Sequence, residues 1–115
     1  MRIALAPVLS GVALLILAAC ASVPPVSEIP ETIANATTAA DHQRIADHFA
    51  QKAASYDAEA ALHEKMGRSY MGRPKGDAAA WAAHCNSLQK KFIEAAQEAR
   101  VLEQAHRQLA DSTDK

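Results

Sequence analysis

Along the second half of the chain the positions Trp81, Cys85, Leu88, Phe92, Ala95, Ala99, Leu102, His106 and Leu109 follow one another in alternating steps of four and three. That alternation is the period of a helix burying one seam against a partner helix. A comparable line runs through His42, Ile45, Phe49, Ala53, Tyr56, Ala60, His63, Met66 and Tyr70, with one four-residue and one three-residue step doubled. The spacing predicts two long helices whose seams face each other.

Their ends are marked by local chemistry. Thr38-Ala39-Ala40-Asp41 fits a capping box, in which the Thr hydroxyl covers amides of the first turn. Gly and Pro are then absent until Gly67, so the first helix is expected over about 39–70. Gly72-Arg73-Pro74-Lys75-Gly76 breaks it, and Asp77 is placed to cap a second helix running to about Ala110, before the polar tail 111–115. Folding the chain back at Pro74 brings together residues whose numbers sum to about 148. Tyr56 then meets Phe92 and Ala53 meets Ala95, so large residues mostly face small ones. The fold class expected is all-α, an antiparallel two-helix hairpin of coiled-coil type over 38–110. Each arm is about 48 Å long at 1.5 Å per residue. An alanine-rich seam buries little apolar surface, and two hairpins stacked as a four-helix bundle would bury more.

The chain's first segment has a different pattern. Met1 and Arg2 precede an apolar run, Ile3 to Leu17, too short for an ordinary membrane-spanning helix. It leads into Leu17-Ala18-Ala19-Cys20. In these residues the chain resembles bacterial lipoprotein precursors, whose lipobox is Leu, two small residues and Cys. The resemblance implies a signal peptide over 1–19 that is cut away, lipidation of Cys20 and attachment to the membrane by that lipid. Several acyl chains on one residue hold firmly where a single chain holds only marginally. It also implies a bacterial cell-envelope location. Ala21 after the cysteine fits outer-membrane delivery facing the periplasm, where Asp would retain such a protein in the inner membrane. Residues 20–37, with Pro24, Pro25 and Pro30 among small and polar side chains, read as a semi-stiff tether. Asn35-Ala36-Thr37 matches a glycosylation sequon that a bacterial protein would not use.

Charge narrows the partners. The chain has 12 Lys and Arg against 13 Asp and Glu, and losing Arg2 with the signal leaves 11 bases. That balance argues against nucleic acid. Catalysis finds no footing either: Ser55, Ser69 and Ser87 lack a nucleophile-elbow setting, and no Gly-rich loop follows a strand. With Cys20 lipidated, Cys85 is the one remaining thiol, so it is buried, paired between chains, metal-bound or reactive.

Candidate chemistry centres on the dipeptide His84-Cys85. The register of 148 sets His63 opposite Cys85 with His84 beside it, a donor set suited to zinc, copper or haem iron. The same register sets His42 opposite His106, a pair able to share a metal or to titrate near neutrality. Against a metal or haem site, no CxxC, HxxxH or HExxH spacing occurs. Cys85 also suits a small buried hydrophobe, and no cofactor is expected. Lys65, Arg68, Arg73 and Lys75 gather at the hairpin tip, where Lys65 and Arg68 complement a helix C-terminus. The function expected is that of a lipid-anchored structural or interaction module, partnered by another protein or by a second copy. The alternative is a metal- or haem-binding envelope protein.

Overall fold

The computed structural model describes residues 28–73 and 76–115. The signal segment, Cys20, the first part of the tether, and Pro74 with Lys75 in the turn lie outside the described residues. The described chain is all-helical: α1 spans Ile29–Asn35, α2 spans Ala39–Met71 and α3 spans Ala78–Thr113. Helices α2 and α3 pack along each other as an antiparallel hairpin, and α1 packs on α2 alone.

The capping box at the start of α2 forms in full. The Thr38 hydroxyl accepts from the Asp41 amide at 3.1 Å, and the Thr38 amide donates to the Asp41 carboxylate at 3.0 Å. The Thr38 hydroxyl also donates to the Asp41 carboxylate at 2.7 Å, and this bond, followed by those from the Thr37 and Thr38 amides, holds the Asp41 carboxyl below its ordinary pKa. Two boundaries differ from expectation. Asp77 precedes α3 but makes no side-chain cap, because its ψ of 35° departs from the extended backbone a capping side chain needs. At the far end α3 continues through most of the expected tail. The hydroxyls of Ser112 and Thr113 donate back to the Leu109 carbonyl, so these polar residues extend the helix.

Within the stretch expected to be an extended tether, α1 is a correction. Pro30 lies in its first turn, where a missing N–H costs nothing and a fixed φ is already helical. Ile29 is buried, and burying a side chain of that size contributes about 1.5–3 kcal/mol. Seven residues would not hold a helix alone; packing on α2 holds this one.

The hairpin seam rests on two seven-residue series in α2. Ala46, Ala53, Ala60 and Gly67 are buried with Ala39 half-buried at their head, while His42, Phe49, Tyr56, His63 and Tyr70 lie half-buried beside them. One stripe is therefore all small residues and the other all rings. In α3 the facing series are Ala78, Cys85, Phe92, Ala99 and His106, and Ala82, Gln89, Ala96, Glu103 and Ala110. The first of these coincides with half of the expected seam. The other half is displaced by one position: Trp81, Leu88, Leu102 and Leu109 remain 47, 40, 44 and 46 % exposed. Size explains the displacement. A stripe of Ala and Gly draws the facing backbone close, so Ala82, Ala96 and Ala110 are buried against it while Gln89 and Glu103 of the same series stay half-buried. The larger side chains move to the flank.

Ring contacts fix the register. His42 and Phe49 both meet His106, and Tyr56 and His63 both meet Phe92. The level of His106 thus falls between 42 and 49, and that of Phe92 between 56 and 63.

Candidate functional site

The register brings one expected histidine pair together. His42 and His106 approach Nδ1 to Nδ1 at 3.1 Å with ring centroids 5.3 Å apart, and Phe49 stacks on His106. At that distance one ring donates its Nδ1 proton and the other accepts it, which requires opposite Nδ1 protonation. Burial, then the charge of His42, lowers the pKa of His106.

The second expected set does not assemble as the sequence suggested. His63 stacks on Phe92 with centroids 5.4 Å apart and planes 12° from parallel, and its Nδ1 is buried without a hydrogen-bond partner. Facing Cys85 is Gly67 instead: a Cβ added there would lie 3.5 Å from the Cys85 Cβ. The expected His63–Cys85 opposition is off because the true register is a few residues longer than 148. His84 is exposed on the flank of α3. Among the described residues no three His, Cys, Asp or Glu side chains gather as a metal-ligand group. Cys85 is a free thiol, 7 % exposed, at the helix interface.

His48 escaped the seam pattern and is the buried polar side chain among the described residues of the hairpin. Its ring meets the edge of Phe49, and burial, then Lys52, lowers its pKa. The sequence signal was its place between Ile45 and Phe49 on an otherwise apolar arc.

The two broad sides of the hairpin differ sharply in chemistry. One carries ion pairs, Arg100 with Asp57 and Arg107 with Glu103 at 2.8 Å and Asp47 at 3.5 Å, alongside Ile93, which is 41 % exposed in the same seven-residue column as the two arginines. Arg68, from the tip cluster, pairs with Glu64 at 3.1 Å. The other side is apolar and open. There α3 presents Trp81, Leu88, Leu102 and Leu109, and α2 adds exposed Leu62. Between the helices on this side lies a groove of about 310 Å³ lined by His48, Phe49, Lys52, Tyr56, Ala95, Glu98, Ala99 and Leu102. Half-exposed large side chains spaced by multiples of seven, beside an open groove, form an extended apolar surface among the described residues.

No family model matches this chain, and no curated protein or solved structure matches it either. No helix among the described residues is long and apolar enough to cross a membrane.

Proposed function

We propose that this protein is a lipid-anchored component of the bacterial cell envelope, in which a helical hairpin serves as a structural or interaction module. The observation that carries the interaction role is the open apolar side of the hairpin, with four large α3 side chains 40–47 % exposed. A surface of this kind, set against an ion-paired opposite side, suits docking of another protein. The anchor rests on Leu17-Ala18-Ala19-Cys20 following an apolar run, and Ala21 supports an outer-membrane address facing the periplasm. No step in this reading needs catalysis or nucleic acid.

The anchor is tested by expressing the full chain and its Cys20→Ala variant in a bacterium with two membranes. The native chain should sediment with membranes and carry acyl groups on Cys20 by mass spectrometry. The variant should lose both. An acylated, membrane-bound variant would overturn the lipoprotein assignment.

A metal-binding role is the second reading, favoured by one observation, the 3.1 Å approach of His42 and His106. Two imidazoles supply half of a tetrahedral set. Elemental analysis of the purified chain and of its His106→Ala variant decides it: a stoichiometric metal lost in the variant supports the reading, and equal, sub-stoichiometric content in both removes it.

A further inference from the structure

The open side carries a pattern that identifies its partner. Along α3 it reads Trp81, Leu88, Ala95, Leu102, Leu109, one residue per seven. The series is large-Leu-small-Leu-large from either end, so a two-fold axis through Ala95 maps it onto itself in the opposite direction. Beside it on α3 stand Lys91, four residues before Ala95, and Glu98, three after.

Helix α2 repeats the arrangement at the same height. Phe92 sits level with the midpoint of Tyr56 and His63, which sets Ala95 beside Tyr56, and both line the groove. Lys52 lies four residues before Tyr56 and Glu59 three after. Both helices therefore carry Lys and Glu at identical offsets from one transverse axis. None of these four charges is ion-paired to another described residue, whereas the cross-helix pairs occupy the opposite side.

We propose that the open side is covered by a second copy of this chain, two-fold related across an axis through the Ala95–Tyr56 level. The product is a four-helix bundle with antiparallel α3–α3 and α2–α2 contacts. Ala95 meets Ala95 of the second copy, and Leu88 meets Leu102. Lys91 then lies beside Glu98 and Lys52 beside Glu59, each pairing occurring twice by symmetry, as an isologous interface requires. A lipid surface is a poorer match, because interfacial helices flank their apolar face with bases and this face has acids and bases in equal number. The α3 row runs about 42 Å from Trp81 to Leu109 at 1.5 Å per residue, long enough to pair along its length with the antiparallel row of the second copy.

This inference deepens the interaction role proposed above and rests on it; the anchor is read separately by membrane attachment, so failure of either is distinguishable. The test is sedimentation equilibrium of the full chain in detergent, with circular dichroism reporting helix content. The native chain should be dimeric. Lys91→Glu and Glu98→Lys should each weaken the dimer about tenfold by placing like charges together, and the double reversal should restore it. In a Cys85→Ser background, Ala95→Cys should crosslink across the axis on mild oxidation, while Gln97→Cys, exposed and off this face, should not. A monomer at about 100 μM would overturn the proposal, as would single reversals without effect, a double reversal that fails to rescue, or crosslinking at 97 equal to that at 95. A monomer that remained membrane-attached would leave the anchor standing and assign the face to a different protein.

Discussion

His48 and His106 show how burial of a ring becomes a property of the fold. Both have pKa values below the ordinary histidine value, first because burial disfavours the charged ring and second because Lys52 or His42 is near. The groove beside His48 is also lined by Lys52 and Glu98. Around His106 stand His42 and Phe49. The unfolded chain titrates both at the ordinary value, so between that value and the lower folded values it binds more protons. Stability therefore rises with pH in that window and is lost as pH falls through it. Urea midpoints should drop on going from about pH 8 to about pH 5, and His48→Gln or His106→Gln should flatten the drop. An unchanged profile in both variants would show that these rings do not set the acid response.

The small stripe of α2 decides the hairpin at the scale of elements. Ala46, Ala53 and Ala60 are buried at seven-residue spacing, and each lets α3 approach. Ala53→Leu should force the helices apart or the side chain off-rotamer, costing about 1–3 kcal/mol in denaturant unfolding. Ala61→Leu, an exposed neighbour, should stay within about 0.5 kcal/mol. Equal effects at the two sites would mean that the seam is not closely packed. This stripe was present in the sequence but read by hydropathy rather than by size. A fold-back centred on Pro74 gives a sum of 148, a few residues short of the observed register, and so sets His63 rather than Gly67 against Cys85. The capping box at Thr38 and the break after Gly72 were legible because their signals are local. The burial of Ile29 was not, since α1 depends on α2 for its stability and Pro30 also fits an extended tether. The His42–His106 meeting was legible because both residues lie on the half of the seam shared by the expected and observed packing.

For the whole molecule, the contrast between the two sides connects stability to assembly. One side carries ion pairs, but exposed pairs such as Arg100–Asp57 contribute only about 0–1 kcal/mol each. The core between the helices is mostly alanine, with Ile45 the largest fully buried side chain. A single hairpin therefore has little apolar burial to set against the entropy of ordering two helices of 33 and 36 residues. The proposed dimer would cover Trp81, Leu88, Leu102 and Leu109, adding the burial that the seam lacks and so coupling folding to association. Thermal unfolding should then depend on concentration, because each tenfold increase in chain stabilises the dimer by about 1.4 kcal/mol. The transition midpoint, followed by circular dichroism over a hundredfold range of concentration, should rise steadily for the native chain. For Lys91→Glu the whole curve should shift to lower temperature, with the native position regained in the double reversal. A midpoint independent of concentration would mean that the hairpin folds alone, and that its open side is a docking surface of an already stable monomer.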